Sequence, residues 1–199
     1  MASTATVTTT ETITPTCRLP PAGRPGLLSR LLALYMRVVF GKVLSSITVL
    51  YPRLRGMAWG QLLLERYSQK GVSLDPHLKM LVELRISEQN GCTFCADIGR
   101  AMHLIHGGKD FPASLVTSDP EDPQHGSQTR ALLRYVDELG RDRTVSDATF
   151  ADLARHFSEK QVAEIVWLTS FTHYHNLMAK QLGLASEGLC EAVQARRRR

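Results

Sequence analysis

Nowhere in this 199-residue chain do apolar and polar residues alternate with the period of two that a half-buried strand requires. From Gly26 to Gly183 the apolar residues recur instead at three- and four-residue spacing, in segments of helical length such as "RLRGMAWGQLLLERYSQKG", "SLDPHLKMLVELRISEQNG" and "SQTRALLRYVDELGRDR". The reading is all-α. Ser146 and Ser158 have the form of N-caps with acids in the following turn, and Gly140 and Gly183 suit helix ends. The stretch "GGKDFPASLVTSDPEDPQHG" reads as a loop with room for one short turn, and "SEKQVAEIVWLTSFTHYHNLMAKQLGL" as one long helix near the C-terminus, buried on most sides. With 43% hydrophobic and 22% charged residues, the chain can build one ordinary core.

Three parts are expected. Residues 1–26 open with Thr-rich "MASTATVTTTETITPT" and continue into Pro-rich "CRLPPAGRPG", a composition that gives no packed structure. Residues 27–195 form a single helical domain, and 196–199 a basic tail. The domain begins with "LLSRLLALYMRVVFGKVLSSITVLYP", apolar nearly all round the helical wheel. Arg30, Arg37 and Lys42 keep its uninterrupted apolar runs below the ~18 residues of a membrane span. Its polar strip is too thin for an interfacial membrane helix, so the remainder of the domain or a second copy must cover it. The first positive side chain is Arg18, which argues against a signal peptide, and four cysteines of which only Cys92 and Cys95 are close in sequence fit a reducing, cytoplasmic setting.

Charge is unevenly spread. Seven Lys or Arg stand against one acid in residues 1–64, and four Arg close the chain, so with a total of +5 the span 65–195 is at −5. An acidic body argues against a nucleic-acid groove.

The chemistry concentrates in "SEQNGCTFCADIGRAMH", residues 87–103. If Asn90-Gly91 opens a helix, first-turn N–H groups favour thiolate at Cys92 and Cys95, and one sulfur can attack while the other resolves a disulfide. Metal binding is the competing chemistry, because Cys92, Cys95, His103 and His106 share one stripe. On a continuous helix Cys92 and His106 are about 21 Å apart, so one ion cannot hold all four, and a zinc site would need the helix to break before His103.

The run "LVELRISEQNGCTFC", together with "ALLRYVDEL", "FADLARHFSEKQ" and the last long helix, resembles the AhpD-like alkylhydroperoxidase and carboxymuconolactone decarboxylase superfamily over roughly residues 53–184. The resemblance implies an all-α AhpD-like bundle that oligomerises through its helices, and a peroxidase branch with the Cys-x-x-Cys as redox centre. By position Cys95 would attack a hydroperoxide and Cys92 would resolve, with an external thiol reductant and neither metal nor organic cofactor. The apolar helix at 27–50 would contribute to the contact between copies.

Two positions depart from the pattern. Where the peroxidase branch carries a relay Glu twelve residues before the first Cys and a His four after the second, this chain has Met80 and Gly99. Glu83, one turn from Met80 and within about 60° on the wheel, and His173, on a polar line of the final helix, are the candidate replacements. His103 is about 12 Å beyond Cys95 along the axis, and His175 points away from His173. Gly99 also has the plainer reading of close helix packing. The functional expectation is a thiol-dependent hydroperoxide reductase. A weakly active member kept as redox sensor or scaffold, and a decarboxylase-like lyase using the same pocket without thiols, are its rivals.

Overall fold

The computed structural model describes residues 17–24, 26–108 and 113–198. Those residues contain ten helices and no strand: α1 Leu27–Phe40, α2 Ser45–Val49, α3 Arg55–Lys70, α4 Pro76–Gln89, α5 Thr93–Ile105, α6 Ala113–Val116, α7 Ser127–Asp142, α8 Asp147–His156, α9 Glu159–Gln181 and α10 Leu189–Arg197. Among them no helix is long and apolar enough to cross a membrane.

Local chemistry sets the boundaries. Asp75 caps α4 by accepting from the His77 N–H at 2.8 Å, with Pro76 at the first helical position, where its missing N–H costs nothing. Ser146 accepts from the Thr149 N–H, and Ser158 forms a reciprocal capping box with Gln161, as both serines were expected to do. The apolar run at 27–50 divides into α1 and α2 at Gly41, whose φ of 77° suits a residue without Cβ. Gly140, expected at a helix end, lies inside α7. That helix ends at Arg143, with φ 60°, and a Cβ at 140 would run into the Gln89 side chain, so this glycine serves helix contact.

α4 is the central element, packed between α5, α7 and α9. Leu81, Val82, Leu84 and Ile86 have no solvent exposure. Arg85 is buried with them and is fully engaged: Nε donates to Asp137 Oδ1 at 2.6 Å, and Nη1 to the carbonyls of Val116 and Ser118 at 2.9 and 2.7 Å. The guanidinium thereby ties α4 to α7 and to the end of α6, and the pairing offsets its desolvation. α9, about 34 Å long, crosses the other side of α4 and buries Ile165, Leu168 and Ala179. Glu164 accepts from the Ser73 N–H and hydroxyl at 2.9 and 2.8 Å, fastening α9 to the α3–α4 connection.

Both ends of the described chain are more tightly held than the sequence suggests. Residues 1–16 lie outside the described residues. Arg18 N–H donates to Leu182 O at 2.8 Å and Ala22 N–H to Thr48 O at 3.0 Å, so the Pro-rich stretch is pinned by long-range backbone bonds. Arg196 and Arg197, expected in a tail, belong to α10. Arg196 donates to the carbonyls of Val38 and Val39 at the C-terminus of α1, and Arg197 to Gly108 O.

Candidate active site around Cys92 and Cys95

The two cysteines sit where α4 turns into α5. α4 stops at Gln89, Asn90 caps it, and Gly91 takes φ 63°, a value that favours glycine. The Cys92 N–H then donates back to Ser87 O at 2.8 Å. The helix expected to open at Asn90-Gly91 starts two residues later, because Asn90 and Gly91 are spent on ending α4. Cys92 is therefore the N-cap of α5, and its sulfur accepts from the Cys95 N–H at 3.4 Å. Cys92 and Cys95 are joined in a disulfide. Their Cα atoms are 5.4 Å apart, an ordinary separation for a bridge closed across one helical turn. Cys92 is 2% exposed, whereas Cys95 is half-buried, so Cys95 is the more accessible sulfur.

The chain after α9 is held against this helix. Thr93 Oγ1 accepts from the Ser186 N–H at 3.2 Å. Asp97, two residues past Cys95, accepts from the N–H groups of Glu187, Leu189 and Cys190 and from the Ser186 hydroxyl at 2.8–3.1 Å, so a side chain of α5 caps α10. Leu189 and Cys190 share a core cluster with Cys92, Phe94 and Ala101, and Cys95 packs against it.

The two positions at which the resemblance implies a proton relay are apolar in this fold. Met80 is 6% exposed and packs with Leu84, Ala96 and Leu133. A Cβ on Gly99 would stand 3.3 Å from Cδ2 of the fully buried Leu84, so any side chain there presses on Leu84. α5 runs unbroken through His103, which leaves His103 and His106 at the end remote from the sulfurs. Among the described residues no three His, Cys, Asp or Glu side chains are gathered as a metal ligand set.

Of the two candidate replacements, Glu83 keeps 23% of its side-chain surface exposed and has Lys79 Nζ at 3.8 Å. Burial pushes its carboxyl from 4.5 up to about 7, the charge of Glu65 adding to the rise and Lys79 opposing it. His173 Nδ1 accepts from Asn90 Nδ2 at 2.9 Å, and the same amide donates to Asn176 Oδ1 at 2.9 Å. Lys180 Nζ donates to Asn90 O at 2.6 Å. The opposite ring nitrogen of His173, Nε2, is buried without a hydrogen-bond partner, and burial lowers the pKa of the ring, with Arg143 adding to the effect. The bonds of His173 thus run to the turn that presents the cysteines, two residues before Cys92.

A further polar group assembles beneath α3. Gln61 Nε2 lies 2.6 Å from His175 Nε2 and 3.1 Å from Glu65 Oε1, and Glu65 Oε1 is 3.6 Å from His175 Nε2. Burial holds His175 neutral, down at about 4. The hydroxyl of Tyr51, which packs against the cysteine cluster, is raised well above its usual range by burial, then by Glu65 and Tyr174. Sequence reasoning set His175 aside because it considered only the side of α9 that carries His173. The local signal was the pair Gln61 and Glu65, four apart on an otherwise apolar helix face.

No family model matches the chain. The Escherichia coli K12 protein YnjA, described as uncharacterised, is 27% identical over 186 residues, spanning 89% of this chain and 98% of that protein. Among solved structures, a protein of unknown function from Agrobacterium tumefaciens, described as a candidate AhpD antioxidant defence protein, is 27% identical with a TM-score of 0.58, over 67% of this chain and 93% of that one. A peroxidase-related protein from Ralstonia eutropha JMP134, described as an alkylhydroperoxidase AhpD core, superposes with a TM-score of 0.72 at 18% identity, over 87% and 94%. The debrominase Bmp8 shares the fold at a TM-score of 0.67 and 15% identity, over 83% and 89%. Helix order and the likeness to these structures, to the Agrobacterium protein in sequence as well, make the fold of this chain AhpD-like.

Proposed function

We propose that the protein is a thiol-dependent hydroperoxide reductase in which Cys95 attacks and Cys92 resolves. The observation that carries this reading is the pairing of the two sulfurs at the N-terminus of α5, with Cys95 the more exposed. In the reduced protein the Cys95 thiolate displaces alkoxide from the terminal oxygen of a hydroperoxide, giving a sulfenic acid and, after protonation, an alcohol. The Cys92 thiol then condenses with the sulfenic acid, forming the disulfide and releasing water. An external dithiol returns both sulfurs to thiols and leaves as a disulfide, which balances the two electrons taken by the peroxide. The cycle uses neither metal nor organic cofactor, and its need for a thiol donor suits a reducing, cytoplasmic setting.

Of the two expected relay residues we keep Glu83 as the proton source for the departing alkoxide, its carboxyl pushed up to about 7 by burial. His173 acts on the turn through Asn90. We place the contact between copies on α3, where Trp59, Leu62, Leu63 and Tyr67 remain 42–66% exposed, rather than on the 27–50 segment expected from the sequence.

A redox sensor is favoured by one observation, the apolar packing of Met80 and Gly99, which removes general acid–base help worth about 10²–10⁴ in rate. The debrominase Bmp8 keeps open a non-peroxidase activity for the same fold. Trapping tests the assignment of Cys95 as the attacking sulfur, and repeated turnover separates a reductase from a sensor. In Cys92→Ser, an organic hydroperoxide should leave a dimedone-reactive sulfenic acid on Cys95. Labelling absent from Cys95, or present equally on Cys17 and Cys190, would contradict the assignment.

A further inference from the structure

α1 turns two faces in opposite directions. Met36 and Phe40 are buried in the cluster that also contains Cys92, whereas Leu27, Leu31, Leu34, Tyr35 and Val38 stand 55–74% exposed. At 100° per residue these five lie within an arc of about 100°, with Arg30 and Arg37 along one border. Residues 17–64 contain seven Lys or Arg and no acid. The end of α10 adds to this charge: Arg196 donates to Val38 O at 2.8 Å and lies against Gly41, which brings it to the C-terminal end of α1.

We infer that the outer face of α1 docks on an anionic lipid surface. The five apolar side chains enter the interface, and Arg30, Arg37 and the basic end of α10 meet the headgroups. The sequence alone argued against an interfacial helix because the polar strip of α1 is thin. The fold removes that objection, since the face opposite the stripe is covered by protein core and needs no polar residues. α1 is about 21 Å long and lies along the surface without spanning it. A second copy docking through the same stripe would gain the apolar contact alone and leave Arg30 and Arg37 without an opposite charge from the stripe, whereas an anionic membrane offers an apolar layer together with that charge. The inference is independent of the thiol chemistry, and its test does not use activity.

Co-sedimentation of the full chain with vesicles of phosphatidylcholine, and with equimolar phosphatidylcholine and phosphatidylserine, provides the test. Binding is expected to the mixed vesicles only, weakening with added salt. Each basic side chain near such a surface is worth about fivefold in partitioning, so Arg30→Ala with Arg37→Ala should lower it about thirtyfold. Leu31→Glu with Leu34→Glu should abolish it. All four residues are exposed, and unchanged circular dichroism and thermal midpoint confirm that the variants fold. Absence of binding, or equal binding to both vesicles, would overturn the inference. So would a Leu31→Glu, Leu34→Glu variant that loses an oligomeric state while its lipid binding is unaltered, which would make the stripe a contact between copies.

Discussion

Glu83 makes a measurable demand on stability. A carboxyl moved from 4.5 to about 7 holds a proton in the folded state that the unfolded chain has already released, so folding stability falls as pH rises through that window and is level above it. At about 1.4 kcal/mol per pH unit the full displacement corresponds to about 3 kcal/mol, and the 23% exposure of the side chain brings the expected effect to about 2–3 kcal/mol. Glu83→Gln removes the titration. The variant should match the wild type near pH 4.5 and exceed it by about 2–3 kcal/mol near pH 8. Comparison at each pH is essential, because His175, pushed down to about 4, acts with the opposite sign: it contributes stability above 6.5 that is lost as pH falls toward 4. Urea unfolding followed by far-ultraviolet circular dichroism reads the difference. A difference constant with pH, or one that grows toward acid, would refute the reasoning. Glu65→Gln, which removes a neighbouring charge that raises Glu83, should move the window to lower pH.

Three further perturbations test the packing around the cysteines. Gly99→His, which restores the imidazole position of the peroxidase pattern, should destabilise by about 1–3 kcal/mol through overpacking on Leu84, and Leu84→Ala should reduce that penalty in a double-mutant cycle. Asp97→Ala strips the acceptor from three backbone N–H groups at the start of α10, and should cost about 2–4 kcal/mol in urea unfolding and raise hydrogen exchange at residues 187–190. Arg85→Ala leaves Asp137 and two carbonyls without their donor and should cost about 3–5 kcal/mol, the largest loss of the set.

What could be read from the sequence was local. Helical spacing, the Ser146 and Ser158 caps and the break before Cys92 all depend on residues within a few positions of one another, and the fold follows them. Asn90-Gly91 was located but misread as a helix start: an Asn-Gly step serves a C-cap equally well, and the difference lies in the bond from Cys92 N–H to Ser87 O. α10 was missed because its N-terminus is capped by Asp97, 92 residues before Leu189, and no local capping residue announces it. The Gln61, Glu65 and His175 group was missed for the same reason, as 114 residues separate Gln61 from His175. Gly99 shows the converse. Its absent side chain admitted both a lost relay and close packing, and the contact with Leu84 supports the packing explanation.

The most direct test of the account is multiple-turnover reduction of an organic hydroperoxide by the purified protein under excess dithiol, beside Cys95→Ser and Cys92→Ser. The account predicts slow but repeated turnover that vanishes in Cys95→Ser and stalls after one oxidation in Cys92→Ser. Turnover that persists in Cys95→Ser, or a wild-type protein that oxidises once and never cycles, would contradict it.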